Sequence, residues 1–208
     1  MKMVLVQTPN YITPDVRTTC KNLSESKPIF IDITAPSWAI TNKCSLNAKR
    51  FSEELGGSII FGWNVSVWKN VLIDCIGHAV VLKDDKFVDV TPNKYGNSKS
   101  LFVQDDNIIF DYTNDMSRMP SKMIAISKAK EVRRLIIIEE EIYNIKIKYP
   151  ITSGKIALNP NDGIKITKLD KEKQELIPKI ILNHTYHNEP RICGSGKKFR
   201  KCCLNKFK

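Results

Sequence analysis

The sequence lacks any apolar run approaching the ~18 residues that a membrane-spanning helix needs. The apolar stretch at residues 3–6 is also too short to form the core of a signal peptide. Internal repeats and low-complexity segments are missing, which argues against a solenoid or a fibrous protein. We therefore expect a globular protein without a membrane span.

Cysteine is sparse in the body of the chain, where Cys20, Cys44 and Cys75 lie far apart. The other three cysteines lie together within residues 193–203. This distribution does not resemble the disulfide framework of a small secreted protein. We therefore expect free thiols and a cytoplasmic location.

Acidic residues are absent from residues 191–208, which carry seven basic side chains. The whole chain has a formal net charge of +11, so most of its excess positive charge lies in this tail. The tail is therefore expected to face an acidic partner, which would be a protein surface, a ribosome or nucleic acid. A solvated tail without a partner is the alternative. Phe199 and Phe207 could stack on bases, but no recognised nucleic-acid motif accompanies them.

The apolar pattern of the body predicts a mixed α and β domain. A strand is predicted at residues 28–34, followed by a helix that is capped by Asn42 or Ser45 and ends at the glycine pair at 56–57. Three apolar residues are spaced for the buried stripe of this helix. They are Leu46, Phe51 and Leu55.

Several short β-branched and aromatic runs follow, and their order predicts a β-meander. These runs lie at 58–67, 71–75, 78–82 and 87–90. A turn at residues 84–85 is expected to join the last two runs in a hairpin. Further helices are predicted at 125–147 and, within a less regular region, near 168–176.

Three residues in this order have side chains suited to nucleophilic catalysis. Cys44 is predicted at the start of a helix, where unpaired N–H groups and the helix dipole favour a thiolate. His78 and Asp89 are predicted on adjacent, antiparallel strands of the hairpin. The expected roles are a cysteine nucleophile, a histidine base and a carboxylate that orients the imidazole. The alternative is structural: a small buried cysteine, a strand histidine and an aspartate that ends a strand.

A helix-borne cysteine, then His78-Ala-Val-Val, then Val88-Asp89-Val-Thr-Pro resembles the transglutaminase-like branch of the papain-like fold. The resemblance covers residues 28–145 and implies an α+β fold with an antiparallel β-meander. It also implies a Cys44, His78 and Asp89 triad that forms a thioester, with amide hydrolysis and transfer to an amine both open. A scaffold that keeps this pattern without catalysis is the alternative.

Two positions depart from that family's pattern. Val80 stands where an aromatic residue usually follows the His-Ala pair, and Trp38 stands where papain-type enzymes carry an oxyanion-hole glutamine. Asn42 or the backbone N–H of Cys44 could supply the missing donor. The substrate class is left open.

The tail places Cys193 nine residues before the vicinal pair Cys202-Cys203, with a Gly-Ser-Gly turn between them. Gly194 and Gly196 allow the chain to reverse, so that the three thiols can converge on one metal ion. The spacing therefore predicts a small metal site. A basic tail with incidental thiols is the alternative.

The tail resembles the SEC-C motif, a short zinc-binding segment of many bacterial proteins, some of which combine it with a transglutaminase-like domain. The resemblance implies zinc bound by the three thiols. Arg191 replaces the first cysteine of the motif, so His187 is expected to complete the ligand set. The alternatives are His184, a water, or a motif that no longer holds metal.

Together the two resemblances imply a domain at 1–149, a connecting segment at 150–187 and a zinc-binding tail at 188–208. The chain is predicted to be a cysteine hydrolase or a transglutaminase-like acyltransferase whose tail docks on a protein partner. The alternative is a non-catalytic adaptor that docks on a protein, a ribosome or nucleic acid.

Overall fold

The computed structural model describes residues 5–93, 96–152 and 154–185, together with Lys198 and Lys201. Helices and strands are mixed along the chain, as predicted. In chain order they are α1 (Pro14–Leu23), β1 (Ile29–Asp32), α2 (Cys44–Leu55), β2 (Ser58–Trp68), β3 (Leu72–Lys83), β4 (Lys86–Val88), β5 (Lys99–Gln104), β6 (Ser121–Ala125), α3 (Lys130–Lys146), β7 (Ile151–Thr152), β8 (Lys155–Ile156) and α4 (Pro160–His184).

Six strands form one antiparallel sheet in the order β1-β5-β2-β3-β4, with β6 also paired to β3. The central pair, β2 and β3, runs in register along its whole length. A parallel bridge between Ile33 and Asp89 joins the chain beyond β1 to the chain beyond β4. The sheet is therefore nearly closed.

The two-residue alternation of side chains gives this sheet an inner and an outer side. Val80 packs with Phe102 on the inner side. Its neighbours Ala79 and Val81 face the outer side, where they pack against Ala48 of α2. His78 therefore projects toward the inner side, whereas α2 lies on the outer side.

β3 is a single strand of twelve residues, although the sequence predicted separate runs at 71–75 and 78–82. The apolar pattern breaks at Gly77 because a Cβ there would lie 2.5 Å from the ring of Pro120. One edge of β3 pairs with β2, and the other pairs with β6 near its start and β4 near its end. Residues 77–80 have no strand partner on that second edge within the described chain.

The predicted hairpin is confirmed, because β3 and β4 pair antiparallel around residues 84–85, which both have positive φ. Pairing extends only as far as Val81 opposite Val88. Beyond that point the chain turns toward β1. Asp89 therefore lies against the end of β1, and the prediction that it continues the hairpin strand beside His78 was wrong.

α2 begins at Cys44 and ends, as predicted, at Gly56, whose φ of 80° lies in the left-handed region. The predicted caps, Asn42 and Ser45, were wrong, because Lys43 occupies the cap position and makes no side-chain cap hydrogen bond.

The predicted stripe of α2 was only partly right. Phe51 packs toward the sheet, but Leu46 and Leu55 are exposed. Small residues, Ala48 above all, face β3 instead, which lets the helix lie close to the strand.

α3 and α4 pack against each other and against the sheet. Their apolar contacts include Leu135 and Ile181 around Trp68, and Arg134 of α3 forms an ion pair with Glu172 of α4. None of the helices in the described ranges has the length and apolarity needed to span a membrane.

Two helix predictions need correction. The helix predicted at 125–147 begins at Lys130, because Ala125 ends β6 and the N–H groups of Ile126 and Ser127 donate to the carbonyl of Val71. The short helix predicted near 168–176 is the middle of the 25-residue α4, which Asn159 caps by accepting a hydrogen bond from the N–H of Asp162 at 2.8 Å. The division of the chain at residues 149 and 150 stays a prediction.

Candidate functional site

Cys44, His78 and Asp89 line one cleft of about 430 Å³. They come from the first residue of α2, the middle of β3 and the chain beyond β4. The cleft lies at residues 77–80 of β3, where the described chain places no strand on one edge. Through this gap the thiol of Cys44, which comes from α2 on the outer side of the sheet, reaches the ring of His78 on the inner side.

His78 and Asp89 form a buried hydrogen-bonded pair, with 2.9 Å between Nε2 and Oδ2. A carboxylate can only accept, so the Nε2–H of His78 donates. The other oxygen of Asp89, Oδ1, accepts from the N–H of Thr91 at 3.0 Å. Burial alone would raise the pKa of Asp89, but the charge and hydrogen bond of His78 and the N–H of Thr91 lower it below its ordinary value.

Cys44 interacts with the same imidazole. Burial alone would raise the pKa of the Cys44 thiol, but the hydrogen bond and charge of His78 and the N–H groups of Ala79 and Ser45 lower it. Burial opposes the charged form of His78 as well, yet Asp89 and Cys44 together raise the pKa of the imidazole. Because Nε2 is engaged by Asp89, Nδ1 is the nitrogen available to the thiol. These shifts favour a thiolate beside an imidazolium at neutral pH.

The other cysteines of the body have the opposite properties. Cys20 and Cys75 are fully buried, and burial raises the pKa of their thiols to about 11 and about 12. All three body cysteines are free thiols. The prediction that the body cysteines are free thiols is therefore confirmed.

Asn47 positions the chain that leads into Cys44. Its Oδ1 accepts from the N–H of Ile40 at 3.0 Å, and its Nδ2 donates to the carbonyl of Ile40 at 2.8 Å. The same Nδ2 lies 3.3 Å from Oγ1 of Thr91, the residue whose N–H binds Asp89. Asn47 therefore links the chain that leads into Cys44 to the loop that holds Asp89. Sequence analysis gave it no role, and its only signal was a position one turn after Cys44.

The candidate oxyanion donors lie at the start of α2. Asn42 lines the cleft and has a φ of 64°. Trp38, which stands in place of the family's glutamine, is partly exposed and stacks under the guanidinium of Arg50 at 4.3 Å.

The cleft also extends along β3 to Asp74, which sequence analysis missed. Asp74, Ile76 and His78 alternate along one side of the strand, and Asn64 of β2 lies opposite Ile76. Oδ1 of Asp74 and Oδ1 of Asn64 are buried, and neither has a hydrogen-bond partner in the described part of the chain. The only signal in the sequence was an acidic residue inside an otherwise apolar run.

The predicted metal ligands lie outside the residues that the structure describes. They are His187, Cys193, Cys202 and Cys203. His184, the alternative fourth ligand, is the last residue of α4, and its Nε2 lies 3.4 Å from Oγ of Ser127. Across the described ranges, no three His, Cys, Asp or Glu side chains are grouped to hold a metal. Three thiolates and one imidazole are nevertheless a donor set that suits structural zinc.

Comparison with known proteins bears on the tail alone. Residues 188–205 match the SEC-C motif. No curated protein and no solved structure matches the chain. The SEC-C prediction is confirmed as a sequence match, whereas the transglutaminase-like, papain-like interpretation of the body stays a prediction.

Proposed function

We propose that this chain is a cysteine-dependent acyl-transfer enzyme with a papain-like, transglutaminase-like body. Cys44 is the nucleophile, His78 the base and Asp89 the residue that orients the imidazole. The observation that carries the proposal is the chain of contacts from Asp89 through His78 to a thiol whose pKa is lowered. The other two thiols of the body, Cys20 of α1 and Cys75 of β3, are buried, and burial raises their pKa instead.

The reaction begins when Sγ of Cys44 attacks the carbonyl carbon of an amide. A C–S bond forms, and the imidazolium of His78 gives its proton to the leaving amine as the C–N bond breaks. The product is a thioester on Cys44. His78 then removes a proton from water or from a second amine, which attacks the thioester and releases the thiolate.

Asp89 keeps the ring oriented through both steps and stabilises its positive charge. Asn42 and the N–H groups at the start of α2 are placed to donate to the oxygen that becomes negative. Water as the second nucleophile gives amide hydrolysis, and an amine gives transamidation. Both outcomes use the same residues.

We also propose that the tail binds one Zn²⁺ through Cys193, Cys202, Cys203 and His187. Bound zinc supplies rigidity to a segment that is too short to form an apolar core. The seven basic side chains then provide a docking face for an acidic protein partner. A zinc-binding adaptor without catalysis is the second candidate, favoured by the SEC-C match, and its partner would be a protein, a ribosome or nucleic acid.

The enzyme proposal is tested by the pH dependence of Cys44 alkylation, read by peptide mass spectrometry in the wild type and in His78→Ala. We expect fast wild-type labelling well below the ordinary thiol pKa of ~8.5, and a shift to higher pH in the variant. Cys20 and Cys75 are internal controls that should stay unlabelled in the folded protein. Labelling of Cys44 that is ordinary and indifferent to His78 would favour the adaptor.

The zinc proposal is tested by metal analysis of the wild type, Cys202→Ser and Arg191→Cys. We expect one zinc per wild-type chain, loss in Cys202→Ser, and slower release to a chelator in Arg191→Cys because a fourth thiolate is restored. Chelation should leave the melting temperature of the body unchanged, because a local site stabilises only what it ties together. Unfolding of the whole protein by the chelator would contradict this.

A further inference from the structure

Asp74 is a buried carboxylate that the proposed reaction does not use. Its side chain is 6% exposed, and Oδ1 has no hydrogen-bond partner among the residues that the structure describes. Leaving such an acceptor buried and unpaired carries a desolvation penalty, which is larger for a charged group. Oδ1 of Asn64, on the neighbouring strand, is a second buried acceptor without a donor. Both residues line the cleft that contains Cys44.

The position of Asp74 relative to His78 is set by β3. Four residues separate them on the same side of the strand, which corresponds to ~13 Å between their Cα atoms. Ile76 lies between them, lines the cleft and is 47% exposed. The cleft therefore runs from a reactive end, over an exposed apolar side chain, to two unpaired acceptors.

A ligand that binds Oδ1 of Asp74 and Oδ1 of Asn64 must supply hydrogen-bond donors, because both oxygens are acceptors. An ammonium group has three donors and no acceptor, and a guanidinium has five donors and no acceptor. An aliphatic stem leading to such a group would pack on Ile76 while the charged end reaches the oxygens. Glu139 of α3, whose negative charge acts on Asp74, is paired with Lys173 at 3.1 Å and, as a carboxylate, cannot donate.

We propose that the Asp74 end of the cleft is a subsite for a cationic side chain of the substrate, a lysine or arginine bound by Asp74 and Asn64. The proposal rests on the proposed function, which places the reacting carbonyl at Cys44. The bound cation is a recognition element and not the attacking amine, because it is held about a dozen ångströms along the strand from His78. The substrate is then a peptide with a basic side chain close to the reacting amide.

The test compares two haloacetamide reagents of equal length, one with an aminohexyl arm and one with a hydroxyhexyl arm. Their rates of alkylation at Cys44 are measured at pH 8. Burial and the charge of Glu139 raise the pKa of Asp74 to about 6, so its carboxylate is charged under these conditions. In the wild type we expect the cationic reagent to react about tenfold faster, which is the effect of a hydrogen bond to a charged group.

Asp74→Asn should reduce this rate ratio to about one. Glu139→Gln is the matched control: it removes a neighbouring negative charge that does not line the cleft, and the ratio should persist. A ratio near one in the wild type, or a tenfold ratio that survives in Asp74→Asn, would overturn the proposal. If Asp74→Asn does not fold, hexylamine serves as a free competitor, which should slow labelling by the hydroxyhexyl reagent in the wild type and in Glu139→Gln.

Failure of the subsite can be distinguished from failure of the proposed enzyme. In His78→Ala at pH 9, an ordinary thiol is largely ionised and still alkylates. A tenfold ratio there, combined with slow wild-type labelling at low pH, supports the subsite and contradicts the enzyme. Fast wild-type labelling at low pH without any preference for the cationic reagent supports the enzyme and contradicts the subsite.

Discussion

The two ends of the cleft hold carboxylates that are almost equally buried but differ in their hydrogen-bond partners and in the direction of their pKa shifts. Asp89 is 2% exposed and receives hydrogen bonds from His78 and Thr91, which lower its pKa. Asp74 is 6% exposed, one of its oxygens has no partner within the described ranges, and burial raises its pKa to about 6. Burial alone therefore does not decide the charge of a carboxylate, because the donors around it do. The end of the cleft with Cys44, His78 and Asp89 is called the completed end below, because its carboxylate has its donors. The end with Asp74 and Asn64 is called the open end.

The largest effect is expected from Asp89→Asn, which removes the charge at the completed end. Without that charge the imidazolium of His78 is less favoured, and the thiol of Cys44 returns toward its ordinary pKa of ~8.5. At pH 6.5 such a thiol is only ~1% ionised, so labelling of Cys44 should slow by as much as ~100-fold. The measurement is the alkylation rate at pH 6.5, with circular dichroism to verify folding.

Asp32→Asn is the matched control for that variant. Asp32 ends β1 near the bridge to Asp89, but its side chain is exposed and pairs with Lys99. Removing its charge should change the Cys44 rate less than twofold, because exposed pairs interact weakly through water. Equal slowing in both variants would mean that net charge near the cleft, and not the contact with His78, sets the reactivity of Cys44.

The next effect is on stability, at the open end. The rise in the pKa of Asp74 from 3.8 to about 6 means that the folded state holds this proton more tightly than the unfolded state. Asp74 therefore lowers stability as pH rises from about 4 to about 6, and the penalty persists above that range, at roughly 3 kcal/mol or less.

Asp74→Asn should remove most of that penalty. We expect a gain of about 2 kcal/mol in the free energy of unfolding at pH 8 and little change at pH 4, measured by urea denaturation. The variant would then be more stable but unable to bind a cation, as is common for residues reserved for ligands. A loss of stability at pH 8 would show that the carboxylate already has a partner.

A smaller effect is expected from Asn47→Ala. The variant leaves the N–H and carbonyl of Ile40 without their partner and loosens the chain before Cys44. We expect Cys44 labelling at pH 6.5 to slow about tenfold and stability to fall by ~1–3 kcal/mol. Leu46→Ala lies on the same turn of α2 but is exposed, and it should change neither quantity appreciably. Normal labelling in Asn47→Ala would show that Asn47 does not position Cys44.

The completed end of the cleft was largely predictable from sequence, and the open end was not. Cys44, His78 and Asp89 were found by the types of residue and their order, and the hairpin turn was visible in the Asp-Asp pair. The gap in the edge of β3, through which the thiol meets the ring, depends on where β4 and β6 pair. β6 was not predicted: four of its five residues precede the helix predicted at 125–147, and a short apolar run has no period that separates strand from helix.

Other parts were missed for related reasons. β5 lies between residues 90 and 125, where the sequence predicted no strand, yet its pairing with β1 and β2 forms the middle of the sheet. α1 was missed although Thr13 caps it and Pro14 opens it, which are local helix signals. Asp74 could not be assigned, because an unpaired oxygen is a property of the assembled strands. The tail shows the reverse: its motif is clear in sequence, and its geometry lies outside the described residues.

The smallest effect is expected from Tyr112→Phe, again at the completed end. The hydroxyl of Tyr112 donates to the carbonyl of Ser45 at 3.1 Å, one residue after Cys44. That carbonyl lies in the first turn of α2 and keeps its helical partner, so no buried group is orphaned. The ring also keeps its edge contact with Phe110 at 5.0 Å. We expect stability to fall by about 1 kcal/mol at most and Cys44 labelling at pH 6.5 to change less than threefold.

Because Asn47, the backbone N–H groups and Asp89 all hold this end, losing one outer contact should be tolerated. A large loss of labelling in Tyr112→Phe would mean that the hydroxyl itself acts on the thiol, and that the completed end depends on one more residue than the triad and Asn47.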